Sequence, residues 1–192
     1  MNETSKAMTR RWVEDMIGDF PWKSLFVGKG IDVGCGPDKV QIDDCIGFDQ
    51  GDGDANDLCR YFKSNTFDYL HASHILEHMK DAKSSLTTWS NIVKKGGHII
   101  GEVPSWELYE GKRPRSIWND DHKSTWSMWN KFGGTELPHH YAPDFFKSDL
   151  FDIKLLRLVD SNYDYTIGAS IDQTNTESNA VECFIEFVLI KK

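Results

Sequence analysis

Gly30-Ile31-Asp32-Val33-Gly34-Cys35-Gly36-Pro37 reads as a short apolar strand running straight into a glycine-rich turn, with an acid, Asp32, just ahead of the bend. Gly34 and Gly36 sit where a chain turns sharply and lets a ligand approach the backbone. The stretch is not a Walker loop, because no lysine and hydroxyl residue follow its last glycine. Nor is it a complete dinucleotide fingerprint, because Asp38 stands where the third glycine falls. A glycine bend bordered by acids suits a ligand that is not an anion.

Working outward, Cys45-Ile46-Gly47-Phe48-Asp49 is the second strand. An acid at the carboxyl end of that strand is the usual acceptor of ribose hydroxyls in doubly wound folds, although Asp is also a common strand-end turn former. The loop from Gly51 to Leu58 is acidic and glycine-bearing, but Phe62-Lys63 stand where a calcium loop needs its closing glutamate. Phe67 to Ser73 is a third strand. Ser84 to Val93 is an amphipathic helix carrying Leu86, Trp89, Ile92 and Val93 on one side, stopped by Gly96-Gly97. His98 to Val103 is a further strand ending at Pro104. Upstream, Thr4 to Ile17 is a helix with Trp12, Val13, Met16 and Ile17 at helical spacing. It covers either the ligand pocket or one face of the sheet. Downstream, Asp144 to Leu150 is a short helix, and Phe151 to Val159 and Val181 to Ile190 are strands separated by a polar loop from Asp160 to Asn179. Strands alternating with helices predict a mostly parallel sheet with helices on both faces.

Composition narrows the class. The 192 residues suit one domain, and 39% hydrophobic with 27% charged residues describes a folded chain. A net charge of -8 argues against a general nucleic-acid footprint, leaving only a local basic patch around Lys112, Arg113 and Arg115. Four cysteines, Cys35, Cys45, Cys59 and Cys183, show no CxxC pairing and read as reduced thiols of a cytoplasmic protein. No signal core begins the chain, and no apolar run approaches the ~20 residues of a membrane span.

His74-Ile75-Leu76-Glu77-His78 spells H-x-x-E-H, the inverted zinc-protease pattern. On a helix, His74 and His78 would share a face and could hold zinc with Glu77 as base. The motif starts at a strand end, however, and supplies no third ligand. No metal is therefore assigned, and His78 reads as a hydrogen-bonded packing residue.

The order of these parts resembles a class I S-adenosylmethionine-dependent methyltransferase of the methyltransferase type 11-like group. The likeness rests on Asp32-Val33-Gly34-Cys35-Gly36, Gly47-Phe48-Asp49, Gly53 to Leu58, Phe67-Asp68-Tyr69, Ser73 to His78 and Val93 to Gly97. It implies a Rossmann-like doubly wound, mostly parallel α/β sheet in a single domain over residues 1–192. It also implies S-adenosyl-L-methionine as cofactor. Asp32, Gly34 and Gly36 would line its methionine and ribose end, Asp49 would take the ribose hydroxyls, Asp54 with the backbone of Ala55 would face the adenine, and Ser73 and His74 would sit near the reacting methyl. Asp49 and Asp54 are almost adjacent where relatives place a helix and a strand, so the edge strand is expected to be reduced. The last two strands are expected as an antiparallel pair closing the sheet.

Residues 105–143, rich in tryptophan, form an insertion after the fifth strand of the family pattern and are expected to act as acceptor-side lid or as a small core of their own. His122, which follows Asp120-Asp121, is the candidate general base; Glu102, His139 and His140 are its rivals. The expected activity is methyl transfer to a small-molecule or sugar-like acceptor. The alternatives are a non-catalytic cofactor-binding or regulatory module of the same fold and, behind it, a zinc hydrolase.

Overall fold

The computed structural model describes residues 3–37, 39–175 and 181–192. Asp38, which replaces the third glycine, lies outside these residues. Six strands form one sheet in the order β2-β1-β3-β4-β8-β7: β1 (Gly30–Val33), β2 (Cys45–Phe48), β3 (Phe67–Ser73), β4 (Val93–Pro104), β7 (Phe151–Val159) and β8 (Phe184–Lys191). The first four run parallel. β8 lies antiparallel between β4 and β7, as the antiparallel pair expected at the end of the chain. β2 is an edge strand, so no strand lies outside it among the described residues. Asp49 and Asp54 are joined by a turn alone, and Asp54 caps the 3₁₀ helix Ala55–Arg60 that follows.

The two faces of the sheet are covered differently, because alternate strand residues point to opposite sides. On one face, Leu86, Trp89 and Ile92 of α2 (Ala82–Ile92) pack against Ile31, Val33, Leu70, Ile99 and Ile185. Asp81 caps this helix by accepting from the backbone N–H of Ser84, so α2 starts two residues before its apolar pattern suggested. The other face is covered by α1 (Glu3–Ile17) and the turn Trp22–Leu25, which pack on Tyr69, Ile100 and Val188.

α1 therefore covers the sheet, but not with the face its apolar spacing predicted. Val13, Met16 and Ile17 are exposed, whereas Ala7, Met8 and Arg11 are buried. The reason is electrostatic. Opposite α1 the sheet presents His71, Glu102 and Glu186, all fully buried, and buried carboxylates need charged partners. Arg11 donates to Glu186 at 2.8 Å, to Glu102 at 2.6 Å and to His71 Nε2 at 2.9 Å. Arg10 adds bonds to Glu186, Glu102 and Glu182. The helix is rotated to put its guanidinium groups, not its largest apolar side chains, against the sheet.

Two smaller corrections concern the C-terminal third. The helix expected from Asp144 to Leu150 is a single turn, α3 (Ala142–Phe145), and the last strand begins at Phe184, not Val181. The 105–143 segment contains a two-stranded sheet of β5 (Thr125–Ser127) and β6 (His139–Tyr141). Its Trp126 is fully buried and joins the main core against Phe145 and Phe146, while Trp129 is exposed. No helix of the described residues is long and apolar enough to cross a membrane.

Candidate functional site

Ligands of open α/β sheets bind at the carboxyl ends of the strands, and two adjoining cavities lie there. The first, of about 320 Å3, is lined by Gly34, Phe48, Asp49, Gln50, Gly53, Asp54, Ala55, Asn56, Ile75 and Met79, with His74, His78 and Asp121. Its floor is the glycine turn. Gly34 has φ +69°, and a Cβ there would stand 1.9 Å from Ile75 Cδ1, so only glycine keeps the floor open. Gly36 also has positive φ, and its N–H donates to Asp49 Oδ2 at 2.5 Å, which ties the turn to the end of β2.

Asp49 also accepts from the Gln50 N–H at 2.6 Å, through Oδ1. Each oxygen keeps a lone pair for an outside hydroxyl. Asp54 accepts from the backbone and side-chain amides of Asn56 at 2.9 and 2.7 Å, bonds that hold its carboxyl below the usual carboxylate range. The Trp89 indole donates to the Ala55 carbonyl at 2.7 Å, fixing that wall from the core side.

The sequence-predicted residues divide accordingly. Gly34, Asp49, Asp54, Ala55 and His74 line this cavity, and Gly36 braces its turn. Asp32 does not reach it. Its carboxylate is buried and accepts from Val40 N at 2.7 Å and from His71 Nδ1 at 2.7 Å, His71 Nε2 being the acceptor for Arg11. Asp32 thus secures the far side of the turn. Ser73 is likewise a supporting residue, donating to Glu102 Oε2 at 3.1 Å instead of facing a ligand.

The second cavity, of about 190 Å3, is lined by His74, Glu77, His78, Pro104, Tyr109, Asn119, His122, Thr174, Cys183 and Phe184. His74 and His78 belong to both cavities and form the partition between them. His74 holds a left-handed backbone, φ +56°, with its N–H on the Glu102 carbonyl at 3.1 Å. A non-glycine residue in that region stores on the order of 1–3 kcal/mol and is typical of sites where a side chain must be aimed.

H-x-x-E-H is not on an α-helix: His74 follows the end of β3, and Glu77 and His78 belong to a 3₁₀ turn, Leu76–His78. What joins them comes from the 105–143 segment. The Glu77 carbonyl accepts from Lys123 N at 2.7 Å and from Ser124 N at 3.2 Å, which brings His122 to the cavity wall. His122 is buried, and its Nδ1–H donates to Glu110 Oε1 at 2.7 Å, fixing the ring with Nε2 on the opposite side. The acids that precede it do not orient it; Asp121 instead accepts from His78 Nδ1 at 3.2 Å. Burial pushes the fully buried Glu77 carboxyl up, but His74, then His78 and His122, outweigh it and hold the group below its ordinary range.

The rival bases are otherwise engaged. Glu102 is fully buried against Arg10 and Arg11, and burial raises its carboxyl above the ordinary range. His139 shares Nδ1 with the Thr125 hydroxyl and donates from Nε2 to the Asn130 carbonyl. His140 packs on Trp126 and Phe145, and burial pushes it down to about 4. Glu110, the partner of His122, is the site residue that sequence reasoning did not single out; Glu77 entered it only as the would-be base of the H-x-x-E-H pattern.

A family model described as methyltransferase domain matches residues 38–101, a span that begins just after the glycine turn and carries Asp49, Asp54 and the His74–His78 partition. No curated protein matches the chain by sequence. Among solved structures, the chain is similar to a Thermotoga maritima protein described as an SAM-dependent methyltransferase and possible histamine N-methyltransferase, with 15% identity, 97% of this chain and 98% of that one covered, and TM-score 0.53. It is similar to an S-adenosylmethionine-dependent methyltransferase of Mesorhizobium loti, with 14% identity, 89% and 97% coverage, and TM-score 0.52. A third likeness, with 13% identity, 95% and 80% coverage and TM-score 0.54, is to a structure described for conversion of a disulfide bond into a thioacetal group during echinomycin biosynthesis. At these identities the likeness is one of fold.

Proposed function

We propose that the chain is a class I S-adenosylmethionine-dependent methyltransferase, a reading supported by the methyltransferase-domain match over residues 38–101 and by its fold, and that it methylates a small molecule seated in the cavity beyond His74 and His78. The observation that carries this reading is the shared partition, which sets a nucleoside-sized cavity edge to edge with a smaller, half-enclosed one. S-adenosylmethionine fits the larger: the walls offer carboxylates and no phosphate cradle, as suits a sulfonium cation without phosphate. Asp49 is assigned to the ribose hydroxyls, Asp54 and Ala55 to the adenine, and Gly34 and His74 to the methionyl end. When bound, the cofactor supplies the electrophilic methyl group.

The smaller cavity supports an acceptor of the size of a small metabolite or a single sugar ring. Methyl transfer requires the nucleophile aligned with the methyl, water excluded, and a proton removed from a hydroxyl or ammonium group. Tyr109, Pro104 and Phe184 give the acceptor apolar walls. His122 is assigned the proton: Glu110 holds Nδ1–H and stabilises the imidazolium that forms when Nε2 takes a proton from the acceptor.

The test is transfer of a labelled methyl group from S-adenosylmethionine to small hydroxyl and amine acceptors, comparing the parent with His122→Ala. Loss of turnover of ~100-fold or more with unchanged S-adenosylhomocysteine binding supports the assignment. Equal turnover in the two proteins removes His122 from the reaction. Binding without transfer to any acceptor favours the non-catalytic module instead.

A further inference from the structure

We propose that Glu77, His78 and His122 form a binding site for a divalent transition-metal cation of zinc's class, open on its fourth side to the acceptor cavity. The ligand set differs from the one the sequence motif suggests: Glu77 takes the place of His74 beside His78, and His122 comes from another segment. One ligand atom from each of the three residues lies within 4.8 Å of the other two, a spacing that a single cation can bridge with small side-chain adjustments. Two histidines and one carboxylate are also the donor set of open zinc sites.

Three observations favour a cation over a cluster that is merely adjacent. The first is Glu77. It is fully buried, and no hydrogen bond of ordinary length reaches either carboxylate oxygen; the imidazoles of His74, His78 and His122 offset its burial from farther away. Its nearest imidazole atoms are His74 Nδ1 at 3.5 Å and His78 Nε2 at 4.0 Å. A buried carboxylate left so is costly unless a positive charge reaches it. The second is tautomer control. His122 Nδ1 is held by Glu110, and His78 Nδ1 by Asp121. Both rings therefore direct their Nε2 side away from those carboxylates, and His78 Nε2 faces Glu77. An unprotonated Nε2 set against a carboxylate is an unfavourable pairing that a cation between the two relieves. Carboxylates behind metal-binding histidines are the usual means of fixing and strengthening such ligands. The third is access: all three ligand residues line the acceptor cavity, so a fourth, exchangeable position faces the space the acceptor would fill.

This inference deepens the proposed function and rests on it for its chemistry. A cation there would take an acceptor hydroxyl as its fourth ligand and lower its pKa, the proton leaving to solvent. The resulting oxygen anion then bonds to the methyl carbon as the carbon–sulfur bond breaks, and sulfonium and anion become neutral thioether and ether. His122 Nε2 serves one role at a time: ligand in the loaded protein, proton acceptor in the metal-free one.

The experiment uses chelator-stripped protein titrated with Zn2+ by calorimetry, and with Co2+ followed by its visible absorption. Saturation at one equivalent, with the intense bands of low-coordinate Co2+, is the expected result. Glu77→Gln and His122→Ala should each abolish the Co2+ bands, and Glu110→Gln should weaken Zn2+ by ~10–100-fold. S-adenosylhomocysteine binding and the melting curve of His122→Ala and Glu110→Gln report whether these variants remain folded. No one-equivalent binding in the parent, or binding unchanged in both ligand variants, overturns the site. Failure of the parent to bind S-adenosylhomocysteine would instead undo the methyltransferase reading, and the metal titration would still decide the site by itself.

Discussion

Replacing Arg11 with Met removes the centre of the charge network that seats α1 on the sheet. Arg11 is fully buried, stacks on Trp22 with its guanidinium 5.0 Å from the ring centroid, and bonds Glu186, Glu102 and His71. Met fills much of the volume, so the cost is mainly electrostatic. Breaking a buried ion pair by deleting one partner costs roughly 3–5 kcal/mol. Arg10 remains on both glutamates and Arg157 on Glu186, which puts the expected loss near the low end, about 3 kcal/mol. In a domain of this size that is a fall in Tm of ~6–12 °C. Urea denaturation of parent and variant gives the free energy, and a double-mutant cycle with Glu186→Gln isolates the coupling, expected at ~1 kcal/mol or more. The defect should also reach the site. Glu102 holds Ser73 through its carboxylate and His74 through its carbonyl, so S-adenosylhomocysteine affinity should fall with stability. A loss below ~1 kcal/mol, the scale of an exposed pair, would refute the claim that these charges dictate how α1 docks.

Acid should weaken the same network. Burial alone would raise the Glu186 carboxyl, but Arg11 and Arg10 more than reverse this and hold it at about 2, against 4.5 ordinarily. Its contribution is complete above about pH 4.5 and is lost as the pH falls toward 2, because the unfolded chain takes up the proton first. Urea midpoints measured across that window should fall with pH, and less so in Glu186→Gln. Gly34→Ala should lower both stability and cofactor affinity, since the new methyl meets Ile75 and the residue must keep φ +69°; a combined cost of ~2–4 kcal/mol in urea denaturation is expected, and a neutral outcome would mean the turn is laxer than its geometry. Trp89→Ala should cost ~3–5 kcal/mol in the same assay and, by freeing the Ala55 carbonyl, weaken S-adenosylhomocysteine in calorimetry.

What could be read from the sequence was what local chemistry determines. β3 and β7 have the predicted limits, since period and flanking turns define them. The reduced edge followed from the few residues between Asp49 and Asp54. The glycine turn and Asp49 lie where strand, bend and acid placed them. The partners of Asp32, His71 and Val40, were not legible because they meet it only once β3 and the segment after the turn are in place. The buried face of α1 was misjudged because an arginine on a helix reads as a solvent residue until the glutamates opposite it are known. The pairing of His122 with Glu110 and its approach to Glu77 depend on backbone bonds between residues 77 and 123–124, which no spacing rule reveals.

Whether the Gly34–Asp49–Asp54 cavity holds the sulfur nucleoside is decided by calorimetry of S-adenosylhomocysteine with the parent and Asp49→Ala. The parent should bind one-to-one, and the variant should lose ~1–3 kcal/mol, about 5–150-fold. Equal affinity in the two proteins, or none in the parent, would contradict that placement.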